Sequence, residues 1–240
     1  MKKIHKILLL LLVLIVSIFG YIFMKTDFLC LKELEIIGQV KLNKEDILNS
    51  GKIEMNKNIY MYNLKDIKNN LLKNPYIKDV NIKIKFPNKM IIDLAERVDM
   101  CAIPYMGSYV LISEEGTVLK VEEDIKNVDK ALLTGINFKN LKVGEKIKLD
   151  DSDFLAKILD LINSCNNANI LSNISEINVD KNKNIRLYTI QGIEVLLGKG
   201  EDVQYKMLAL NKILIDLYTR NISKGIVDMR YKGYPVYRPE

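Results

Sequence analysis

The sequence predicts an α+β protein: one N-terminal transmembrane helix, a small β-α-α-β-β domain, and a β-rich domain containing two helices. Three observations carry that expectation. The run "ILLLLLVLIVSIFGYIFM", Ile7 to Met24, contains no charge. Residues 28–97 place two short, capped helical patterns between a strand and a hairpin. From Val98 onward, alternating apolar residues and turn signals dominate, with two helical stripes among them.

The apolar run comes first. At ~1.5 Å rise per residue its 18 residues reach roughly 27 Å, close to the hydrocarbon thickness of a bilayer. A cleavable signal peptide has a shorter apolar core and small residues at the cut. Here Ile18, Phe19, Tyr21 and Phe23 surround the only small residues, Ser17 and Gly20. An uncleaved anchor at residues 7–24 is therefore expected. Lys2, Lys3 and Lys6 in the stub of residues 1–6 keep the N-terminus cytoplasmic, and the chain from Lys25 onward lies outside the cell membrane.

In the segment after the anchor, "LKELEIIG" reads as a strand with Leu34 and Ile36 on one face, stopped by Gly38. Asn43 caps a helix that has Asp46 in its first turn and Gly51 at its end, and Asn63 caps a second one carrying Leu64, Ile67 and Leu71 before Pro75. "VNIKIKF" then sets Val80, Ile82, Ile84 and Phe86 on one face, and "MIIDLAE" returns with Met90, Ile92 and Leu94 toward the same core. Two helices against one face of a three-stranded sheet make a domain over residues 25–97. One of its sheet edges, at Leu31–Ile37 or elsewhere, is left open to another chain.

Residues 98–240 form the second domain. "YVLISEEGTVLKV" reads as a hairpin around Glu115 and Gly116, and "INVDKNKNIRLYTIQGIEVLLG" as three strands. One helix spans Ser152–Cys165 with Phe154, Ile158, Leu161 and Ile162 inward. The other spans Asp202–Thr219 with Val203, Met207, Leu210, Leu214 and Leu217 at helical spacing. The last strand is expected at Ile226–Tyr231, with Val227, Met229 and Tyr231 on its core face.

Composition narrows the function. The chain has 240 residues, 48% apolar and 28% charged, which excludes a disordered protein. Three of the six net positive charges belong to the lysines before the anchor, so the remainder is only mildly basic and nucleic acid is not an expected partner. The lone histidine, His5, lies before the anchor, leaving no imidazole outside for a catalytic triad or a zinc site. Nucleophile-elbow, zinc-protease and phosphate-loop motifs are missing. No cofactor, metal or small-molecule substrate is expected. Cys30, Cys101 and Cys165 are widely spaced and read as small apolar fillers, with a single oxidised pair left open.

The segment "NPYIKDVNIKIKFPNKMIIDLAERV" resembles the end of the POTRA domain in the FtsQ/DivIB family of bacterial cell-division proteins, on Pro75, Ile77, Val80, Pro87, Glu96 and Arg97. "SYVLISEEGTVL", "LGKGEDVQYKMLALNKIL" and "VDMRYKGYPVYR" are similar to later segments of the family in the same order. After Glu96-Arg97 the family often has Pro-Val-Ala, whereas this chain has Val98, Asp99, Met100, Cys101 and Ala102. The resemblance implies a bitopic, non-enzymatic scaffold of the divisome at the septum. It implies binding to the small coiled-coil proteins FtsB/DivIC and FtsL, and a role in positioning septal peptidoglycan synthesis.

Two other functions compete. A membrane-anchored cell-wall enzyme would have to use paired carboxylates, such as Glu114 and Glu115 or Asp150, Asp151 and Asp153. Acids at a glycine turn or a helix start already serve solvation and the helix dipole. A POTRA-containing chaperone or secretion factor would need a membrane barrel, for which the chain after Val98 is too short and too helical.

The partner site is expected at the C-terminal strand. If that strand is a sheet edge, a partner segment adds to it, with main-chain hydrogen bonds giving affinity and alternate side chains giving specificity. The residues assigned to it are Ile226, Asp228, Arg230, Tyr231, Lys232, Tyr234, Tyr237 and Arg238. Arg220, Lys224, Arg230, Lys232 and Arg238 outnumber Asp228 and Glu240, which points to an acidic partner segment. The competing interpretation makes this the last core strand, followed by a loosely packed "GYPVYRPE" tail.

Overall fold

A computed structural model describes residues 2–25, 27–139, 141–231 and 233–239, without the side chains of residues 2, 3, 19 and 22–25. The chain divides into two compact units, Met1–Glu96 and Arg97–Glu240.

The first unit begins with helix α1, Lys2–Lys25. Among the described residues no helix is long and apolar enough to cross a membrane, and within the expected span Ile7–Met24 the side chains of residues 19 and 22–24 lie outside the description. Strand β1 (Glu33–Ile37), helices α2 (Lys44–Gly51) and α3 (Leu64–Leu71), and strands β2 (Ile77–Lys85) and β3 (Lys89–Glu96) follow. The sheet order is β1-β3-β2, with β1 parallel and β2 antiparallel to β3. The register Val80↔Leu94, Ile82↔Ile92, Ile84↔Met90 and Leu34↔Met90 puts the alternating apolar residues on one face. Ile47, Ile67 and Leu71 of the helices close that core.

The helix caps follow the sequence closely. Asn43 and Asp46 form a reciprocal capping box, with each side chain accepting the other's backbone N–H at 2.9 and 3.0 Å. Asn63 Oδ1 accepts from Lys65 N–H at 3.1 Å. Helix α2 ends at Gly51, and Lys52 after it takes the left-handed conformation that closes the helix. Gly38 ends β1 for a steric reason: at φ +82° a Cβ there would lie 2.0 Å from the Leu94 carbonyl oxygen. Glu96 has a similar local role, since its carboxylate accepts the backbone N–H of Lys41 at 2.8 Å. Phe86 departs from expectation: it stands in the turn after β2, exposed, and does not continue the buried face.

The second unit is built on one nine-stranded sheet in the order β12-β11-β10-β9-β8-β7-β4-β5-β6. Its strands are β4 (Cys101–Tyr105), β5 (Ser108–Ile112), β6 (Val118–Glu122), β7 (Ala131–Thr134), β8 (Ile174–Val179), β9 (Ile185–Thr189), β10 (Ile193–Gly198), β11 (Gly225–Asp228) and β12 (Val236–Arg238). Helix α4 (Ser152–Asn167) joins the parallel neighbours β7 and β8, and α5 (Val203–Thr219) joins the parallel neighbours β10 and β11. β7 and β10 run the same way, and both crossovers step toward the β12 edge. Right-handed crossovers therefore put both helices on one face of the sheet. Their buried stripes, Phe154/Ile158/Leu161/Ile162 and Met207/Leu210/Leu214/Leu217, share one core with Ile112, Leu133, Ile177, Leu187 and Val195.

Candidate functional site: the C-terminal strand pair

Helix α5 delivers the chain to the sheet through Arg220 and Asn221, the latter at φ +59°. β11 then pairs parallel to β10, with Val195↔Val227 in register, and the Met229 N–H donates to the Leu196 carbonyl at 2.8 Å. Gly225 opens β11 at φ +127°, where a Cβ would stand 2.7 Å from both the Arg238 carbonyl oxygen and the Tyr237 ring. Only glycine lets the returning strand come this close. Bends lie at Arg230 and Tyr231 and at Gly233 and Tyr234, and β12 comes back antiparallel through Ile226↔Arg238, Val227↔Tyr237 and Asp228↔Val236. Tyr237 packs against the core, and its hydroxyl donates to the Lys224 carbonyl at 2.7 Å.

Asp228 is the centre of this arrangement. Its side chain is 7% exposed, yet it is charged. Arg230 grips it in a fork, Nε to Oδ1 at 2.9 Å and Nη2 to Oδ2 at 2.6 Å, while the Arg230 backbone N–H donates to Oδ1 at 3.2 Å. Arg238 reaches the same Oδ2 from β12. The Arg230 hydrogen bonds, outweighing burial, hold the Asp228 carboxyl down at about 2. One carboxylate thus ties the end of β11, the bend and β12 together. The Arg230 guanidinium also lies 5.5 Å from the Tyr231 ring centroid. Glu201, Asp202, Tyr205, Arg230, Tyr231 and Pro235 line part of a cavity of about 250 Å³ between this bend and the start of α5.

Four expectations change. β11 is not a sheet edge: it is flanked by β10 and β12, so the edge belongs to Val236–Arg238. The residues expected as a loose tail form that edge, because Gly225 and Asp228 give them a place to pair. Tyr231 is 75% exposed, since the strand ends at Asp228 and alternation no longer applies beyond Met229. Asp228 and Arg230 were assigned to a partner-facing surface; Asp228 instead faces Arg230 and Arg238, and Arg220 pairs with Asp216 at 2.9 Å. Arg230 and Arg238 thus share the single carboxylate of Asp228, and Asp216 is the one acid that the fold adds to the local balance.

Of the other assigned residues, Ile226 is half-buried within β11, Tyr234 is almost wholly exposed in the bend, and Tyr237 and Arg238 lie on β12. Lys232 lies outside the described residues. Sequence reasoning missed Gly225 and Val236. Their signal was present, as a glycine opening an apolar alternation and a second apolar alternation after a Gly/Pro bend.

Three of the carboxylates weighed for catalysis, Asp151, Asp150 and Glu115, are engaged structurally. Asp151 caps α4 by accepting the Phe154 N–H at 2.9 Å, and the Lys183 ammonium on its other oxygen lowers its pKa. Asp150 pairs with Lys139, and Glu115 meets Arg97 at 3.5 Å. A general acid needs the opposite shift. Among the described residues no group of His, Cys, Asp and Glu could hold a metal.

Two family models match along the chain. The FtsQ-type POTRA domain covers residues 29–97, and the C-terminal domain of the cell-division protein FtsQ/DivIB covers residues 104–230. The chain belongs to the FtsQ/DivIB family of cell-division proteins. It is 31% identical to DivIB of Clostridium tetani, over 93% of this chain and 84% of that one. It is 31% identical to DivIB of Clostridium botulinum strain Hall, over 98% and 91%. FtsQ of Syntrophotalea carbinolica is 25% identical, over 87% and 72%. The β1-α2-α3-β2-β3 part of the first unit is thus the POTRA domain, and the nine-stranded sheet carries the FtsQ/DivIB-type domain. The β11–β12 pair straddles the end of the second match, which stops at Arg230.

Proposed function

We propose that this FtsQ/DivIB protein is a non-enzymatic, bitopic scaffold of the divisome, anchored by α1 with its N-terminus in the cytoplasm. Its POTRA and FtsQ/DivIB-type units stand outside the membrane at the septum. There they bind FtsB/DivIC-like and FtsL-like proteins and help position septal peptidoglycan synthesis. The anchor reading is supported by the uncharged run Ile7–Met24, by the lysines before it, and by exposed apolar side chains all along α1, among them Leu8, Leu10, Leu12 and Val16.

The observation that carries the binding reading is the edge strand β12. It is three residues long and held against β11 by Asp228. A partner strand can extend the sheet there by main-chain pairing, with exposed Tyr234 and Val236 beside it. Edge pairing suits a scaffold because it needs no reactive group.

The test is co-purification of the full chain with coexpressed small bitopic coiled-coil division proteins. Replacing Val236 by Lys and Tyr234 by Ala should leave the fold intact and reduce recovery of the partner by roughly tenfold or more, the scale of an interface hot spot. Wild-type recovery with both variants would send the interface elsewhere. Turnover of isolated glycan strands by the purified chain would overturn the non-enzymatic reading.

A further inference from the structure

We infer that the tip of the POTRA unit formed by Phe28, Tyr60, Met61 and Phe86 enters the headgroup layer of the bilayer that holds α1. The inference rests on the anchor reading above and adds a lipid-contacting surface to it. Its first support is chain length. Phe28 follows the last residue of α1, Lys25, by three residues, which extend to roughly 11 Å at most. The headgroup layer is itself about 5–8 Å deep on each side. Phe28 therefore cannot be far from it.

The second support is what the fold gathers around Phe28. Its ring meets Phe86 edge-on with centroids 5.8 Å apart, which brings the β2–β3 turn to the same place. The Lys32 and Glu33 N–H groups donate to the Asn88 carbonyl at 3.0 and 3.3 Å and fix that turn. On the other side Cys30 bridges to Asn58, and the Leu31 N–H donates to the Lys57 carbonyl at 2.9 Å. The helical turn Ile59–Met61 comes with them.

The third support is how these segments divide their side chains. Leu29, Leu31 and Ile59 point into the core, 5% exposed or less. Phe28 (47%), Tyr60 (49%), Met61 (71%) and Phe86 (64%) are left outside. Large apolar groups clustered on an exposed end need a cover. At the end of the unit next to the anchor, the bilayer is the cover that chain connectivity supplies, and aromatic residues are enriched at that depth. Glu33 pairs with Lys89 at 3.4 Å and Glu54 with Lys57 at 3.7 Å, so the charge here is mixed and apolar contact is the attraction.

The chain contains no tryptophan, which makes a single inserted one a clean reporter. The full chain would be reconstituted in phosphatidylcholine vesicles carrying a nitroxide either near the headgroup or near the acyl terminus. Four single variants would be compared: F86W, M61W, L12W in the anchor, and Y234W in the other unit. Phe86→Trp and Met61→Trp sit at exposed positions on two different loops, so a folding defect in one leaves the other to report. The expected result is blue-shifted emission from both, quenched more by the shallow probe than by the deep one. L12W shows the reverse order, and Y234W stays unquenched. Unquenched F86W and M61W beside a quenched L12W would overturn this inference and leave the anchor standing. An unquenched L12W would remove the anchor reading, and the inference with it. Quenching of F86W and M61W that required anionic lipid would also overturn the apolar contact argued here.

Discussion

Replacing Asp228 by Asn keeps the shape of the side chain and removes the charge that Arg230 and Arg238 share. The native carboxyl lies at about 2 instead of the usual 3.8. One unit is worth ~1.36 kcal/mol, so the shift corresponds to at most about 2.5 kcal/mol. Both arginines are near half exposed and can regain water, which brings the expected loss to about 1.5–2 kcal/mol. The loss should be local. Asp228 fastens β12 to β11, so the opening that becomes easier is release of Val236–Arg238 rather than unfolding of the sheet. Hydrogen exchange on the full chain in detergent should show amide protection in Gly225–Asp228 and Val236–Arg238 falling by roughly 10- to 30-fold, with β8–β10 unchanged. The same group fixes the pH dependence. Folding depresses this pKa, so the contribution is whole above about pH 4 and is lost as the pH falls through about 2. The wild-type strand pair should loosen over that window more than D228N does. Equal protection in the two proteins at neutral pH, together with coincident acid profiles, would refute the claim that this carboxylate closes the edge.

Two further outcomes follow from the same packing. Gly225→Ala should displace β12, because the new Cβ meets Arg238 and Tyr237 and the φ of +127° adds about 1–3 kcal/mol of strain; unchanged exchange across Val236–Arg238 would show that the strand pair does not need the glycine. Alkylation at pH 8 should modify half-buried Cys30 and spare Cys101 and Cys165 until denaturant is added. Burial pushes the Cys165 thiol up to about 12 and Cys101 up as well, so rapid labelling of either in the native chain would contradict their burial.

The POTRA unit was legible because its signals are local. Asn43 and Asp46 cap across three residues, and Val80, Ile82 and Ile84 alternate within one strand. Both helical stripes of the second unit were legible for the same reason, since period and burial coincide at Met207, Leu210, Leu214 and Leu217. β4 and β7 were not assigned. β7 pairs with strands far along the chain and offers only the four residues Ala131–Thr134, too few for a period to emerge, whereas β4 turns back on its neighbour β5 at Met106 and Gly107, residues that the hairpin reading around Gly116 passed over. The single nine-stranded sheet depends on those two strands, which join the β5–β6 hairpin to the β8–β10 meander.

The candidate site was half legible, and the missing half is instructive. Alternation from Ile226 marked a strand correctly but could not say where it stops, because Met229 is buried just past the last paired residue. Counting charges could not show which of them meet. Asp228, Arg230 and Arg238 look like two bases against one acid in sequence, but the fold converts them into one ion cluster whose carboxylate is nearly buried. Such a cluster holds β12 in place, and in the proposed function a partner would meet chiefly the strand's outer main chain beside Tyr234 and Val236. An edge of three residues is also too short to invite indiscriminate pairing. In the proposed function, selectivity at such an edge would come from the side chains that flank it, Tyr234 and Val236 first among them.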